Sequence, residues 1–414
     1  MRSHRSLNYD PSNVARGPRL FPGYIAYCSV LAIGIFGLLG SAYSLYLGKQ
    51  FDKNVANRAS KHNQDYKPQV CVVMTCKGLE NGLERNIEAI LSQKYAPFHT
   101  IIVTDSTYDP AFSVAKSILT RNTGAAAQLC TSTEHPRASG KVSALLSALE
   151  TDNWASEAYA FVDSDAHVPT GWLAELVNPL REESIGATTG FRWYFPSRGD
   201  LWSHVQAAWN ATGTNLLFDD RYNFPWGGAM AVRMETLRRI NIKEVWETAV
   251  SDDLSLNSAL RKHGYATKFL PQCCVATYNE TNFRAFVEWA TRQVTLTKAY
   301  HPKLWKYGLA AYSFLNLVTL LGLVSIAVGT FISSAWFLPA GILLIPSLFG
   351  VYRSEQRAET FKGVMSEFAE QFEKSCILDS VASLIVPWIM TYCIIKSART
   401  NEIEWRGRKY HLTK

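Results

Sequence analysis

The chain has 414 residues, of which 47% are hydrophobic and 19% charged, and its formal net charge is +7 at pH 7. Charged residues make up about a quarter of an ordinary soluble domain, so this composition excludes a wholly soluble protein. The positive charge is spread along the chain, without the basic stripe that is typical of nucleic-acid-binding proteins, and we expect no nucleic-acid partner.

The N-terminal region predicts a polar tail over residues 1–20 and one transmembrane anchor over residues 21–48. No Asp, Glu, Lys or Arg occurs between Arg19 and Lys49, and tyrosines lie near both ends of this stretch. An apolar run of this length crosses a bilayer as a single helix. It is too long and begins too late for a cleaved signal peptide, so we expect the anchor to be retained.

Residues 49–306 form one hydrophilic block with the pattern of a globular α/β domain. Apolar or β-branched runs that predict strands alternate with stretches of helical spacing that predict helices: 70–75, 83–91, 100–104, 158–162 and 172–178. This alternation favours a mainly parallel sheet that binds ligands at the carboxyl ends of its strands.

The uncharged run over residues 307–352 is 46 residues long. Because about 20 residues cross a bilayer as a helix, it predicts two transmembrane helices that turn near Ser333 or Pro339.

Residues 353–375 place phenylalanines at helical spacing opposite a charged face, which predicts an amphipathic helix. It either packs on the globular domain or lies in the membrane plane. Residues 376–395 predict a third C-terminal membrane segment that spans, re-enters or lies at the interface, and residues 396–414 form a basic tail.

Carboxylates at predicted strand ends are the groups best placed for chemistry. Neither GxGxxG nor GxxxxGK[ST] occurs at the positions that dinucleotide-binding or P-loop proteins require, so both classes are disfavoured. Instead, Asp105 follows a β-branched run, Asp163 and Asp165 lie in FVDSDAH, and Asp252 and Asp253 lie in VSDDLSL.

The spacing of Asp163 and Asp165 favours a cation site. Residues i and i+2 of an extended chain point to the same side, so both carboxylates can reach one hard cation such as Mg²⁺ or Mn²⁺. That cation could bridge to a diphosphate. The alternative is an acidic surface loop that is merely solvated, but the position directly after a strand favours the metal site.

Several ordered motifs resemble the family 2 type of inverting glycosyltransferases with a GT-A fold. They are CVVMTCKGLENGLERNIEAILSQKY, IIVTDSTYDPAF, FVDSDAHVPTGWL, WGGAMAVR and SDDLSLNSALRKHGY. The late WR-containing tail, with Trp405, Arg406, Gly407 and Tyr410, is most similar to the ceramide glucosyltransferase branch. The resemblance implies a GT-A catalytic domain over residues 49–306, a UDP-sugar donor and a lipid acceptor in the bilayer.

The resemblance also implies roles for individual residues. Asp105 corresponds to the position that contacts the base or ribose of the nucleotide, and Lys141 to a basic position near it. Asp163 and Asp165 correspond to the metal-binding pair, with Asp165 the more direct ligand. Asp253 corresponds to the general base that takes the proton of the acceptor hydroxyl.

Three further residues of this region have alternative interpretations. Asp252 either raises the pKa of the neighbouring base by like-charge proximity or caps a helix, and the cap is favoured. Gly227 and Gly228 indicate close backbone approach to a ligand, with a plain tight turn as the alternative.

A departure from the family pattern lies in the segment WATRQ, residues 289–293. Arg292 keeps the arginine that suits a diphosphate, but Gln293 replaces the tryptophan that seats a sugar acceptor in processive polysaccharide synthases. This departure favours a single transfer.

The motifs together predict an integral membrane enzyme that moves one hexose, by the resemblance glucose, from a UDP-sugar to a lipid such as ceramide. UDP-sugars form a cytosolic pool, so the catalytic domain is expected to face the cytosol. A processive polysaccharide synthase of the same superfamily and a catalytically silent membrane scaffold are the two alternatives.

Overall fold

The structure, a computed structural model, describes residues 22–59, 66–217 and 223–412. The predicted polar tail over residues 1–20 lies outside the described residues. The strands, in chain order, are β1 Val70–Cys76, β2 Phe98–Thr104, β3 Ala127–Thr131, β4 Ala158–Asp163, β5 Ile185–Thr189, β6 Arg192–Pro196, β7 Ala229–Arg233, β8 Ala266–Phe269, β9 Val275–Asn279, β10 Glu402–Trp405 and β11 Arg408–His411. The α-helices are α1 Pro22–Arg58, α2 Leu83–Leu91, α3 Pro110–Arg121, α4 Gly140–Thr151, α5 Trp172–Val177, α6 Leu201–Thr212, α7 Met234–Arg239, α8 Ile242–Trp246, α9 Asp252–Lys262, α10 Phe283–Tyr300, α11 Pro302–Phe331, α12 Phe337–Val364, α13 Ala369–Ala382 and α14 Val386–Ala398.

A seven-stranded sheet in the order β3-β2-β1-β4-β7-β5-β8 forms the centre of the α/β domain. Every pairing is parallel except those of β7, which runs antiparallel to β4 and β5. Alternate side chains of β1 enter two different cores, one shared with α2, α3 and α5 and the other with α4, α8 and α9. Because both faces are covered, β1 is apolar at every position except Thr75, as parallel strands usually are. The predicted α/β class with a mainly parallel sheet is confirmed.

The register of the sheet places the acidic motifs at one edge. Thr75 of β1 pairs with Asp163 of β4, and Cys76 pairs with Thr104 of β2. Asp105 and Asp163 therefore leave neighbouring parts of the same carboxyl edge, where parallel α/β sheets bind ligands.

Three helices of the described chain, α1, α11 and α12, are long and apolar enough to cross a membrane. A short 3₁₀ turn over Ser334–Trp336 separates α11 from α12. The pair α13 and α14 is also apolar, but it is bent by 66° at the break between the two helices. That bend gives this pair the shape of either a broken span or a re-entrant loop.

The segment 353–375, predicted as one amphipathic helix, is divided between two helices. α12 continues to Val364, a 3₁₀ turn follows, and α13 begins at Ala369. The phenylalanines of this segment pack on the α/β domain: the Trp193 ring centroid lies 4.9 Å from that of Phe361 and 5.0 Å from that of Phe372. The break lets both helices present their aromatic faces to β6, which a single straight helix could not do.

The C-terminal hairpin of β10 and β11 lies against the α/β domain. The Gly140 N–H donates to the Tyr410 hydroxyl at 3.2 Å, and Arg408 lies 3.1 Å from Glu134. Ile403 is buried in a small apolar cluster that includes Val250, next to the SDD motif. The C-terminal hairpin thus packs on the same α/β domain that carries the acidic motifs.

Packing between Phe361 and the α/β domain provides a test of this arrangement. Phe361→Ala removes a fully buried ring, and we expect a loss of about 3–5 kcal/mol of unfolding free energy. Phe331→Ala at the end of α11, where the ring is 84% exposed, should cost far less. Thermal unfolding of both variants in the same detergent measures the difference, and equal losses would contradict the packing described.

Candidate active site

A cluster of three carboxylates and two cations occupies the carboxyl edge of the sheet. Asp163 ends β4, and Asp165 follows two residues later. Lys141 lies in the first turn of α4, which begins here because the Ser139 hydroxyl accepts a hydrogen bond from the Val142 N–H. The remaining members, Arg192 at the start of β6 and Asp252 at the start of α9, come from outside the β1–β4 half of the sheet.

Lys141 links two of the carboxylates. Its Nζ lies 2.8 Å from Asp163 Oδ1 and 3.0 Å from Asp252 Oδ2, and it donates to the Gly227 carbonyl at 3.2 Å. Arg192 links Asp163 to Asp165 instead: its Nη2 lies 2.9 Å from Asp163 Oδ2 and 2.7 Å from Asp165 Oδ1. Two cations thus hold together one buried acid, Asp252, and two half-buried ones, Asp163 and Asp165.

The pKa values of the acids differ because the neighbouring cations offset the effect of burial to different extents. Burial raises the pKa of Asp165 and of Asp252 to about 6, although Arg192 and Lys141 respectively oppose this rise. Burial also acts on Asp163, but its two cations outweigh it and lower its pKa. The same carboxylates outweigh burial for Lys141 and Arg192 and raise the pKa of both cations.

The close approach of Gly227 and Gly228 keeps this cluster compact. A Cβ atom at Gly227 would lie 2.2 Å from Asp252 Oδ2, and one at Gly228 would lie 2.2 Å from the Trp226 ring and 2.7 Å from Asp163 Oδ2. Side chains do not fit at either position. The close approach is to the protein's own side chains, and the predicted approach of a ligand to these two glycines stays a prediction.

The predicted helix cap at Asp252 is wrong. Ser251 is the N-cap of α9, and the Asp253 carboxylate also accepts from the Leu254 N–H at 2.7 Å. The Asp252 carboxylate is instead buried against Lys141, since successive side chains of a helix diverge by about 100°. Asp253 is half-buried, and its Oδ2 accepts from the Gly227 N–H at 3.4 Å.

Asp105 lies at the same edge but outside the cluster. It follows β2, and β1 separates that strand from β4, so about 10 Å divides it from Asp163 at the usual strand spacing. Its partner is Lys77, whose Nζ lies 2.5 Å from Asp105 Oδ2.

Arg292 and Gln293 lie on α10, and both are half-buried. The Arg292 guanidinium lies 5.7 Å from the centroid of the Trp405 ring, which joins α10 to the C-terminal hairpin. Burial lowers the pKa of Arg292, and Arg406 and Arg192 lower it further. Three arginines therefore share one electrostatic environment near the acids.

Arg192, Lys77 and Arg406 were not selected as site residues by the sequence analysis. Arg406 donates from Nη1 to the Lys77 carbonyl at 2.6 Å and pairs with Glu80. It also acts on the carboxyl groups of Asp163 and Asp165, whose pKa values it lowers. The WR-containing tail was a signal for Arg406, whereas a single arginine in an aromatic strand gave none for Arg192.

The residues present fit a divalent cation at Asp163 and Asp165. Arg192 Nη2 stands within 3 Å of both carboxylates, so the two acids converge on one positive centre. In addition, the buried Asp252 Oδ2 lies 3.0 Å from Lys141 Nζ and adds a third carboxylate beside this centre. Oxygen donors of this kind suit Mg²⁺ or Mn²⁺.

A second group with metal-binding spacing lies at the opposite end of the strands. Ligand atoms of Cys71, His99 and Asp152 lie within 4.8 Å of one another. His99 Nε2 is already 3.0 Å from Asp152 Oδ1, and the Tyr159 hydroxyl donates to Asp152 Oδ2 at 2.7 Å. Burial raises the pKa of the Cys71 thiol well above its ordinary value, which disfavours the thiolate that a metal requires. This group is a hydrogen-bonded network remote from the acids.

Comparison with known proteins identifies the family. The model of glycosyl transferase family 21 matches residues 30–414, which is most of the chain. The chain belongs to glycosyl transferase family 21. The predicted glycosyltransferase class is thereby confirmed. No curated protein matches this family 21 glycosyltransferase significantly.

Among solved structures, the chain is similar to the mannosyltransferase PcManGT from Pyrobaculum calidifontis in complex with GDP-Man and Mn²⁺. The sequence identity is 16%, the TM-score is 0.45, and the match covers 88% of this chain and 99% of that one.

The raised pKa of Asp252 predicts a pH-dependent stability. Its pKa rises from 3.8 to about 6 on folding, so its contribution to stability is fully present below about pH 4 and is lost as the pH rises through 6. Asp252→Asn cannot ionise. We expect it to be more stable than the wild type at pH 7.5, by on the order of 2 kcal/mol, and to lose this advantage as the pH falls towards 4.

Thermal unfolding of chelator-treated protein across this pH range measures the effect. Glu404→Gln, which removes an exposed carboxylate, is the control and should follow the wild type. A difference between Asp252→Asn and the wild type that does not vary with pH would contradict the assignment.

Proposed function

We propose that this family 21 glycosyltransferase transfers one hexose, glucose, from a UDP-sugar to a hydroxyl group of a membrane lipid such as ceramide, with inversion at the anomeric carbon. The single observation that carries the proposal is the cluster of acids and cations, largely shielded from solvent, at the carboxyl edge of the sheet. Motif resemblance supports the donor, and the aromatic contacts described below support the lipid.

The donor half of the site is divided between two regions in this proposal. Asp105 and Lys77 bind the nucleoside, at the ends of β2 and β1. Lys141, Arg292 and Arg406 surround the diphosphate, since converging cations stabilise its charge best where water is excluded.

Asp163 and Asp165 are the residues that would hold Mg²⁺ or Mn²⁺. When bound, this cation would neutralise the charge that develops on the departing diphosphate. Lys141 contributes positive charge at the same place, since it already lies 2.8 Å from Asp163.

Asp253 is the proposed general base. Its carboxylate is fixed by the Gly227 and Leu254 N–H groups, yet the side chain keeps partial exposure to the site. It takes the proton from the acceptor hydroxyl as that oxygen attacks the sugar. Asp252 is not suited to this role because it is buried beside Lys141.

A chain of aromatic contacts favours an acceptor that comes from the membrane. Trp289 of α10 lies 5.0 Å from Trp209 of α6, and Tyr194 lies 5.9 Å from Trp289 between ring centroids. Arg192 Nη1 donates to the Tyr194 hydroxyl at 2.8 Å. The apolar cluster that contains Trp209 and Trp289 also includes residues of α14, so apolar contacts run from the membrane segments to the acids.

The docked C-terminal hairpin favours one membrane topology. Because the hairpin lies beside the catalytic site, the chain must return to the catalytic side after residue 306. α11 and α12 cross out and back, so the segment 376–395, which lies within the bent pair α13 and α14, re-enters without crossing. The catalytic domain, residues 49–306, then shares the cytosolic face with the hairpin, and the N-terminus lies opposite.

Removing the proposed base tests the mechanism. Asp253→Asn preserves volume, and we expect turnover to fall by a factor on the order of a hundred or more. Affinity for UDP should change far less, because the base acts on the acceptor. Single-turnover assays and UDP binding to the same preparation separate the two. Near-normal turnover in this variant would transfer the role elsewhere.

Binding of UDP without acceptor tests the cation site. We expect calorimetry to show tighter UDP binding with Mn²⁺ than after chelation, because cation and diphosphate stabilise each other in the site. Asp165→Ala should abolish this metal effect, whereas Asp105→Ala should lower the affinity for UDP and leave the effect intact. Metal-independent binding and turnover would show that the DSD motif serves another purpose.

Access to the C-terminus tests the topology. In sealed vesicles with the cytosolic face outward, a tag after Lys414 should be digested by added protease, since the hairpin lies on the catalytic side. A tag before residue 22 should be protected in the same vesicles. Protection of the C-terminal tag would mean that residues 376–395 cross the membrane.

A further inference from the structure

Two buried arginines lie where the membrane helices meet the polar boundary. Arg353 and Arg357 are four residues apart on α12 and therefore share one face of the helix. Arg353 is the first charged residue after the uncharged run over 307–352, and Asp52 on α1 follows shortly after Lys49, where the other uncharged run ends. Both helices thus reach the level of the lipid headgroups at this pair.

Arg357 forms no hydrogen bond and no ion pair with a described residue, although Asp52 acts on it electrostatically. Its residue is 5% exposed, its Nε is buried without a hydrogen bond, and no described carboxylate lies within ion-pair distance. Arg353 is 9% exposed and pairs with Asp52 at 2.6 Å, but its Nη2 is buried without a hydrogen bond. The second oxygen of Asp52, Oδ1, is likewise unpaired.

The charges in this group do not cancel. Two arginines face one aspartate, which leaves one buried positive charge. A guanidinium remains protonated in proteins, and an uncompensated buried charge is strongly unfavourable. The group therefore requires an anion from outside the described chain.

The helices are shaped to keep the arginines at this position. A Cβ atom at Gly48 would lie 2.3 Å from Arg353 Nε, so the guanidinium rests directly on the α1 backbone. The side chains of Arg353 and Asp52 retain 11% and 16% exposure, which marks where a ligand can approach. This exposed part of the two side chains lies at the depth of the lipid headgroups.

We propose that Arg353 and Arg357 bind the phosphate group of an anionic membrane lipid at the seam between α1 and α12. Guanidinium groups bind phosphate through paired hydrogen bonds, and basic pockets between membrane helices are suited to lipid headgroups. The site is separate from the acid cluster that we assign to sugar transfer. It rests on the burial and pairing of these side chains and not on the proposed function.

The test uses the full-length protein in nanodiscs of phosphatidylcholine, with or without about one fifth phosphatidylglycerol. We expect the anionic lipid to raise the thermal unfolding midpoint of the wild type by several degrees, since a ligand that binds the folded state stabilises it. Arg357→Met, which keeps an apolar side chain in the buried site, should remain folded and lose most of this rise. Lys306→Gln, which removes an exposed cation near the start of α11, should keep this rise.

Native mass spectrometry provides an independent measurement. We expect the wild type and Lys306→Gln to retain one phosphatidylglycerol molecule. Arg357→Met should bind this lipid about tenfold more weakly. Equal stabilisation of Arg357→Met and the wild type by phosphatidylglycerol would overturn the proposal. Inorganic phosphate that reproduces the full rise in neutral nanodiscs would also overturn it, because the ligand would then be a soluble anion.

Discussion

The compensation of clustered acids at the carboxyl edge of the sheet is the constraint on which the rest of this structure depends. The half-buried Asp163 and Asp165 and the buried Asp252 cannot share this site as free carboxylates, because their repulsion and partial desolvation are both unfavourable. Lys141 and Arg192 make the arrangement stable, and each bridges two acids. The positions of α4, β6 and α9 are therefore tied to one another through charge as well as through apolar packing.

The apolar helices that are long enough to cross a membrane pack on the α/β domain and extend this organisation. Phe361 and Phe372 pack on Trp193, which follows Arg192 directly in β6. The Thr170 N–H donates to the Glu367 carboxylate at 3.1 Å, which joins the α12–α13 junction to the loop after the DSD motif. The α12–α13 region thus touches residues on both sides of the acid cluster.

The C-terminal hairpin shows how a short distant segment completes a site. Its turn places Arg406 against the Lys77 carbonyl and Trp405 near Arg292, so two ends of the catalytic domain meet there. The turn requires the left-handed conformation at Arg406 and Gly407, with φ of 51° and 76°. Such a conformation is easy for glycine and less favourable for arginine, so tertiary contacts must stabilise it.

Local patterns in the sequence were enough to determine the α/β class, the strands that carry Asp105 and Asp163, and the apolar helices. These features depend on the periodicity and length of a single segment. Only the tertiary structure decided that Arg192 joins the acids, that Ser251 rather than Asp252 caps α9, and that residues 353–375 break to fit β6. The contacts of Arg192 and of residues 353–375 depend on partners distant in the chain, and Asp252 is held away from the cap position by Lys141. The same reason applies to Arg353 and Arg357, which resemble ordinary boundary residues in the sequence until their burial beside α1 leaves two arginines facing one aspartate.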